Sequence, residues 1–518
     1  MTAEATPVTT SAQIRSRTWT TYLIGAIALL YVAFVLVYRL GEYPLPWFDE
    51  GSYLKVAKNY AINGIYADFS SEGNRYTGAV IAAGPTVILP VAAIFKLFGV
   101  NLVLARLVIV VYSFLMLGVL YALCANLGSA RLAVVTLALV ILNPTLDLQV
   151  YSREVMGEVP GLFFLFAGLW LWLRPTRHNL AGLFIVGVLF GLAAVSKNQY
   201  ALFILPSLFL AWMLDLIWYR KQGWRYFVIP GLVGGGVYFA WVFYVLFVLG
   251  AQGRDVTGDL QLLRTSSETA LFLISPGRNL RNALSLIDDG GYPGLLIAAL
   301  LAGFVLSRRR DEAGQRWGIL YTFLLMSVVT YTFSIGFTRY QIPVLALAAP
   351  LIAHLLNQLT DGFRLQLRGL GAAFRSGELS LSKTAGILVI GLSVLLFIRP
   401  GITRFLFSAN SGDDSFARLG QYINENIPSN ALIETYDEEI AVLSNHPYHF
   451  PPHSVMVNRV QELVAGKPEA QYDFRNWVKP DYVIIGRFSA EAHVYLPEQL
   501  SQYKLVQSIG SYKIYQRQ

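Results

Sequence analysis

Long apolar segments separated by short basic loops dominate this chain, and the pattern leaves few folds open to it. Crossing a bilayer takes about 20 predominantly apolar residues, with some latitude for tilt. Eleven segments approach that length, near 22–40, 102–124, 131–147, 159–173, 180–196, 200–218, 228–250, 292–307, 317–335, 341–358 and 384–402. Only 14% of the 518 residues are charged, against roughly a quarter in soluble domains. The sequence therefore predicts a polytopic α-helical membrane protein with about eleven spans.

One further apolar segment, Gly78–Phe98, can either span the membrane or lie in its surface, because it contains Pro85, Pro90 and Lys96. Whether it spans decides on which side of the membrane all later loops lie. If it does not span, the basic loop clusters all fall on the side of the N-terminus, as the positive-inside rule requires. These clusters are Arg131; Arg174 and Arg177; Arg220, Lys221 and Arg225; Arg308, Arg309, Arg310 and Arg316; and Arg364, Arg368, Arg375 and Lys383. We therefore expect a cytoplasmic N-terminus and an in-plane or re-entrant Gly78–Phe98 on the outer face. Cytoplasmic basic loops also account for the net charge of +8, so no nucleic-acid partner is predicted.

The same topology divides the chain into three parts. Residues 1–20 form a cytoplasmic tail, and residues 21–402 form the membrane domain, with outer loops 41–100, 147–159 and 251–291. Residues 403–518 read as a small α/β domain outside the cell's inner, or plasma, membrane. Its predicted elements are helices Ser415–Asn426 and Arg459–Ala465, strands Leu432–Thr435 and Tyr482–Ile485, and a hairpin over Tyr503–Tyr515 around Gly510.

The outer face carries basic residues that the positive-inside rule does not predict. They are Arg75, Lys96, Arg106, Arg153, Lys197 and Arg339, the last followed by Tyr340. Lys197 and Arg339 lie in short turns of separate hairpins, yet all six share one depth. A common anionic ligand such as a lipid phosphate explains this economically, since Arg binds phosphate bidentately and Lys as a point charge. Snorkelling and local ion pairs are the alternative for any one residue.

Acidic residues accompany these cations. Asp49 and Glu50 follow the first span directly, and Glu154 and Glu158 would share a face if Tyr151–Pro160 were helical. A carboxylate in a partly dry cleft can act as a general base, and Asp49 with Glu158 can alternatively hold a divalent metal ion. An Asp at this place can also simply cap a helix.

The C-terminal domain contains three histidines within eight residues, His446, His449 and His453. Their spacing allows a metal site, but the intervening prolines and the absence of neighbouring carboxylates favour a stiff surface loop.

The membrane part resembles the GT-C glycosyltransferases, in the branch of the protein O-mannosyltransferases and the bacterial lipid A aminoarabinose transferases. The resemblance covers about residues 20–360 and depends on the order and spacing of several short motifs. They are Trp47-Phe48-Asp49-Glu50, Gly84-Pro85-Thr86, Lys96-Leu97-Phe98-Gly99, Ala105-Arg106-Leu107, Tyr151–Pro160, Gly191-Leu192-Ala193-Ala194 before Lys197, and Arg339-Tyr340 before Pro343. One departure stands out: the family often has Lys-Pro-Pro where this chain has Gly84-Pro85-Thr86.

The resemblance implies a transferase that takes a sugar from a polyprenyl-phosphate carrier on the non-cytoplasmic face, with membrane lipids as surroundings. By this analogy Asp49 is the base and Glu158 the second acidic position. Arg106, Lys197 and Arg339 are candidates for the carrier phosphate, with Arg75 a substitute for the missing lysine. Single displacement would invert the anomeric centre. The sugar, the acceptor and the carrier length stay open.

Two other functions remain open at this stage. A secondary transporter would suit many spans with charges in them, although the charges lie at the outer boundary and no inverted repeat is visible. A non-catalytic membrane scaffold with the same fold would suit a degenerate site.

Overall fold

The computed structural model describes residues 29–76, 83–174, 179–249, 264, 274–288, 291–292, 294–360, 388, 391–392, 395–396, 399–465 and 472–518. The predicted cytoplasmic tail, most of the outer loop 251–291, part of Gly78–Phe98 and most of the last predicted span lie outside these residues.

Apolar helices form the membrane part, and their bounds fall within a few residues of the predicted spans. They are Leu102–Leu127, Ala130–Leu142, Glu158–Trp172, Leu180–Ser196, Gln199–Leu214 continuing to Tyr219, Arg225–Phe243 continuing to Leu249, Leu295–Ser307, Glu312–Thr332 and Ile342–Leu359. Between residues 78 and 98 the described helix is Pro85–Phe98. Further helices are residues 29–37, Leu148–Tyr151, Pro276–Asp288 and Arg399–Asn410.

Within the described ranges, four helices are long and apolar enough to cross a membrane. They are Leu102–Leu127, Gln199–Tyr219, Arg225–Val248 and Thr338–Leu359, and five shorter apolar helices accompany them. A polytopic arrangement follows, while the count of eleven spans and the sidedness of the termini stay predictions.

Small residues allow two of these helices to pack backbone to backbone. A Cβ on Gly187 would lie 2.6 Å from the Cβ of Val233, and one on Gly191 would lie 2.5 Å from the Cβ of Val237. Glycines four apart on one helix face are typical of membrane helix pairs, where close approach replaces the hydrophobic driving force. This pair fixes the helix that ends at Ser196, immediately before Lys197.

A five-stranded sheet forms the centre of the C-terminal domain. Its strands are β3 (Ile433–Thr435), β4 (Tyr448–His449), β5 (Tyr482–Ile485), β6 (Tyr503–Ile509) and β7 (Tyr512–Arg517), in the order β4-β3-β5-β7-β6. Strand β3 is parallel to β4 and β5, and β7 is antiparallel to β5 and β6. The predicted strands, the hairpin around Gly510 and the helix Ser415–Asn426 are confirmed. The second predicted helix begins earlier, at His453, and Arg399–Asn410 runs across the predicted domain boundary.

The outer loop after the first predicted span contains a helix, Phe48–Asn63, which we call the docking helix. It packs on the 3₁₀ turn Glu438–Val442 of the C-terminal domain. A Cβ on Gly51 would lie only 2.0 Å from the Glu439 backbone nitrogen, so this contact requires glycine.

Two lysines of the docking helix extend this contact. Lys55 Nζ lies 2.8 Å from Asp68 Oδ1 and 3.2 Å from Glu438 Oε1, with all three side chains buried or nearly so. Lys58 Nζ donates to two backbone carbonyls of the domain at 2.7 and 2.6 Å. Charged donors with buried acceptors make a directional contact, so the domain is held in one orientation on the docking helix.

A histidine links the domain to a hairpin of the outer loop, formed by β1 (Asp68–Ser70) and β2 (Gly73–Arg75). His449 Nδ1 contacts Glu434 Oε2, and its Nε2 lies 2.6 Å from Oε1 of Glu72 in the hairpin turn. Glu434 Oε1 also accepts from the hydroxyls of Tyr472 and Tyr495, each at 3.0 Å. Burial alone would lower the pKa of His449, but the two carboxylates raise it. Burial raises the pKa of Glu434.

We predict that Gly51→Ala weakens the docking of the C-terminal domain, because the added methyl group overlaps the backbone of Glu439. Overpacking of this kind costs roughly 1–3 kcal/mol. Thermal unfolding and limited proteolysis of the purified protein measure it. Gly118→Ala is the matched control, since Gly118 is also helical and nothing lies within 4 Å of its added Cβ. Equal stability of the two variants would contradict the tight contact.

We predict that His449 makes stability decrease as the pH rises above about 6.5. The native state holds its proton to higher pH than the unfolded chain, whose histidine has a pKa near 6.5. The contribution is therefore complete below that pH and disappears as the pH passes the native pKa. Thermal unfolding at pH 6 to 9 should show a steeper loss for the wild type than for His449→Gln. Parallel pH profiles would show that the histidine does not titrate in this range.

Candidate active site

Asp49 and Glu50 lie in the first turn of the docking helix, so the prediction that they end the first span is wrong. The described helix of that span ends at residue 37, and extended backbone at Trp47 starts the docking helix. Carboxylates in a first turn are stabilised by the helix dipole. Neighbouring helix positions point about 100° apart, because a turn takes 3.6 residues. The two carboxylates therefore have different surroundings.

Glu50 is fully buried in a bidentate pair with Arg106. The Arg106 Nη2 and Nε atoms lie 2.6 and 2.9 Å from its two oxygens. Arg106 Nη1 donates to the carbonyls of Leu40 and Pro44, each at 2.8 Å, and Val155 N donates to Glu50 Oε1 at 3.0 Å. Because both side chains are fully engaged inside the protein, we reassign them from catalysis and phosphate binding to the support of the site.

Two glycines position the turn that carries Lys197. A Cβ on Gly84 would lie 1.9 Å from the Val195 carbonyl oxygen, and one on Gly157 would lie 2.2 Å from the Ser196 carbonyl oxygen. The turn is thus held between the starts of two helices, Pro85–Phe98 and Glu158–Trp172. A side chain at position 84 would therefore overlap the Val195 carbonyl in this structure.

Four charged side chains from four separate segments meet at one end of the membrane helices, and we call them the charged cluster: Asp49, Glu158, Lys197 and Arg339. Arg339 Nη1 lies 2.7 Å from Asp49 Oδ2, and its Nε lies 3.9 Å from Glu158 Oε1. Lys197 Nζ lies 3.0 Å from Glu158 Oε1 and 3.4 Å from the hydroxyl of Tyr53. Lys197 and Arg339, which come from separate hairpins, thus both lie near Glu158, and a common anionic ligand for them stays a prediction.

The electrostatics of the charged cluster keep its cations charged. Burial alone would lower the pKa of Lys197, but the Glu158 carboxylate raises it above the ordinary value. Arg339 is balanced by the Asp49 carboxylate, 2.7 Å from its Nη1. Burial raises the pKa of Tyr53 to about 12, so its phenol stays neutral and can donate a hydrogen bond.

Glu154 lies beside the charged cluster but does not join it. The backbone leaves the helix at Ser152 and becomes helical again at Glu158, so the predicted shared helix face of Glu154 and Glu158 is wrong. Burial, with the nearby charge of Glu50, raises the pKa of Glu154 well above its ordinary value.

Several polar atoms of the charged cluster have unused hydrogen-bonding capacity. Among the described residues, neither oxygen of Glu158 nor the Nε of Arg339 has a hydrogen-bond partner. Lys197 is close to Glu158 but not aligned for a hydrogen bond. Leaving such a buried group unpaired costs about 1–3 kcal/mol, and each case calls for a water, an ion or a ligand. The arrangement can bind an anion and accept a proton at one place.

The other predicted site residues have different positions. Arg75 contacts Glu72 at 2.9 Å and the Pro451 carbonyl at 3.0 Å, at the domain interface and away from the charged cluster. The Tyr340 ring centroid lies 5.7 Å from the Arg339 guanidinium carbon. The sequence predicts no site role for Trp47, whose ring centroid lies 5.1 Å from the same carbon, or for Tyr53. The spacing of Tyr53, one helical turn after Asp49, is a signal that could have identified it.

The residues present do not suit a divalent metal at Asp49 and Glu158, because each carboxylate already faces its own cation. The histidines also do not converge: His446 contacts Ser444, His449 contacts Glu434, and His453 contacts Asp68. Within the described ranges, Asp68, Glu438 and His453 form the one group with metal-like spacing. Lys55 Nζ already lies between its two carboxylates, so this group is matched to an ammonium.

The sequence of the membrane part matches a known family. The profile described as dolichyl-phosphate-mannose-protein mannosyltransferase matches residues 83–234, a stretch that contains Glu158 and Lys197. No curated protein matches the chain at a significant level.

Solved structures with the same fold cover nearly the whole chain. ArnT from Cupriavidus metallidurans bound to undecaprenyl phosphate has a TM-score of 0.63 at 14% identity, over 96% of this chain and 98% of that one. The oligosaccharyltransferase AglB from Archaeoglobus fulgidus, in complex with an inhibitory peptide and a dolichol-phosphate, has a TM-score of 0.56 at 12% identity, over 96% and 75%. Both are GT-C superfamily glycosyltransferases. The predicted GT-C fold, a multi-pass membrane domain with a small α/β C-terminal domain, is confirmed.

We predict that Arg106→Met destabilises the protein by about 3–5 kcal/mol, because it leaves the Glu50 carboxylate buried without a partner. The double variant Glu50→Gln/Arg106→Met should recover much of this loss, since neither charge remains. Thermal unfolding of both proteins measures the difference. If Arg106→Met is instead stable but binds undecaprenyl phosphate poorly, Arg106 acts on the ligand and our reassignment is wrong.

Proposed function

We propose that this protein is a glycosyltransferase that moves a sugar from a polyprenyl-phosphate carrier to a hydroxyl group of an acceptor. The observation that carries the proposal is the geometry of Arg339. Its Nη1 holds Asp49, while its Nε has no partner among the described residues and points toward the unpaired oxygens of Glu158. A site with free cationic donors beside a carboxylate fits a phosphate leaving group beside a general base.

The proposed reaction uses the charged cluster in two roles. Lys197 and Arg339 bind the phosphate of the carrier, and Asp49 takes the proton of the acceptor hydroxyl. The acceptor oxygen forms a bond to the anomeric carbon, the bond from that carbon to the phosphate oxygen breaks, and the electron pair leaves with polyprenyl phosphate. One such displacement inverts the anomeric centre. Glu158 orients Lys197, to which it is nearest.

Three further observations support the proposal. The family match overlaps the charged cluster, and the two solved structures of the same fold hold undecaprenyl phosphate and dolichol-phosphate. The charged cluster lies at the ends of helices that the positive-inside rule places outside. We therefore propose a plasma-membrane enzyme with a cytoplasmic N-terminus, whose site and C-terminal domain lie on the non-cytoplasmic face.

We predict that Asp49→Asn and Arg339→Ala separate chemistry from binding. Asp49→Asn removes the base, so transfer should fall about 100-fold or more while undecaprenyl phosphate still binds. Arg339→Ala removes a charge-assisted contact worth about 1.5–3 kcal/mol, so binding should weaken about 10- to 100-fold. Binding of undecaprenyl phosphate is measured by native mass spectrometry. Transfer is measured in proteoliposomes from undecaprenyl phosphate carrying radiolabelled hexoses or pentoses to membrane lipids and proteins.

Arg309→Ala is the control, since Arg309 is exposed in a predicted cytoplasmic loop and pairs with Asp311. Near-normal transfer by Asp49→Asn would rule out the base and favour a non-catalytic scaffold. A wild type that neither binds undecaprenyl phosphate nor transfers any of these sugars would overturn the proposed function.

A further inference from the structure

A small cavity lies where the helices beginning at Gln199 and Ile342 meet the C-terminal end of Glu312–Thr332. Its polar lining comes from Gln199, Tyr331, Ser334 and Tyr340, with two further hydroxyls one and two turns below. The cavity volume is about 10 Å³, close to the smallest space that holds one water molecule. It is therefore the size of a single hydroxyl group.

Gln199 is the side chain in this cavity whose bonding capacity is unused. It is 6% exposed, and neither its amide oxygen nor its amide nitrogen has a hydrogen-bond partner in the described part of the chain. A buried amide with both ends unpaired is costly, so it indicates a polar partner beyond the described residues, such as a water or a ligand group.

The opposite wall of the cavity is held in place by its own network. Gln341 Nε2 donates to the Tyr331 hydroxyl at 2.8 Å, and that hydroxyl lies 2.9 Å from the Ser285 hydroxyl. The Ser334 hydroxyl donates to the Tyr331 carbonyl at 2.8 Å. These hydroxyls keep lone pairs that can accept a further hydrogen bond.

The cavity lining includes two residues close in sequence to the proposed phosphate ligands. Gln199 follows Lys197 by two residues, and Tyr340 follows Arg339. The ring centroid of Tyr340 lies 5.7 Å from the guanidinium carbon of Arg339. A group bonded to a phosphate between Lys197 and Arg339 is therefore the nearest candidate to reach the cavity.

We infer that this cavity is a specificity subsite, in which Gln199 receives one neutral hydroxyl group of the sugar on the carrier. This inference rests on the proposed function and names its substrate class: a hydroxyl-bearing sugar without a charged substituent at that position. Among the described residues that line the cavity, none is charged. An ammonium or carboxylate group would lose its hydration there without a counter-charge, which is costly. A hydroxyl group replaces one water and keeps its hydrogen bonds.

The test compares three probes in native mass spectrometry: undecaprenyl phosphate, the same carrier with a neutral hexose, and the same carrier with the matching amino-deoxy hexose. The wild type should bind the neutral-hexose carrier more tightly than the amino-sugar carrier, whose phosphate has the same charge, and the bare carrier reports the phosphate contacts alone. Gln199→Leu should lose about tenfold in affinity for the hexose carrier alone. Gln199→Glu should shift preference toward the amino sugar, because it supplies the missing counter-charge.

Gln222→Leu is the control, because Gln222 is exposed in a predicted cytoplasmic loop. If the wild type does not bind bare undecaprenyl phosphate, the proposed function itself fails. If it binds the bare carrier but Gln199→Leu binds all three probes as the wild type does, the subsite is wrong. If Gln199→Leu leaves donor binding unchanged and raises only the KM of the acceptor, the hydroxyl belongs to the acceptor and the inference about the sugar is overturned.

Discussion

Each charge buried at the outer edge of the membrane domain requires a partner, and this constraint organises the rest of the structure. Glu50 and Arg106 satisfy it completely, and with two backbone carbonyls they join the docking helix to the helix Leu102–Leu127. The charged cluster satisfies it only in part, since Glu158 and Arg339 keep unpaired atoms within the described residues. The fully paired Glu50 and Arg106 therefore support the candidate site, and the partly paired charged cluster forms it, although both sets consist of the same residue types.

The docking helix fixes the position of Asp49. Glu50 pairs with Arg106 and so holds the docking helix against the membrane domain. Gly51 and Lys55 contact the C-terminal domain and hold the docking helix against it. Phe48, next to Asp49, packs against Tyr436 and Phe488 of the same domain, with ring centroids 5.0 and 4.8 Å away. The C-terminal domain therefore helps to position the proposed base.

Sequence patterns predicted the features that depend on the order of nearby residues along the chain. Apolar runs located the helices, and the topology placed Lys197 and Arg339 at one depth, because helix ends at the same membrane surface must be neighbours. The partner of each charged side chain could not be predicted from these patterns. Arg106 and Arg339 are both arginines and were predicted to lie at the same depth, but Arg106 pairs with the buried Glu50. This pairing depends on how two helices are oriented about their axes, which local sequence patterns do not specify. The helix that would place Glu154 and Glu158 on one face is interrupted between Ser152 and Gly157, and the local sequence does not show this break.

The pairing of Arg339 with Asp49 also bears on how the proposed reaction would proceed. A sugar-bearing carrier phosphate is a diester with one negative charge, so it competes with Asp49 for Arg339 on nearly equal terms. When the bond to the sugar breaks, the phosphate becomes a monoester with a charge of about −1.5 to −2. Arg339 then interacts more strongly with the phosphate, and Asp49 loses its counter-ion as the acceptor proton arrives. Binding that strengthens as the bond breaks lowers the barrier, whereas equally strong binding throughout would not. The same ion pair therefore links the release of the leaving group to the availability of the base.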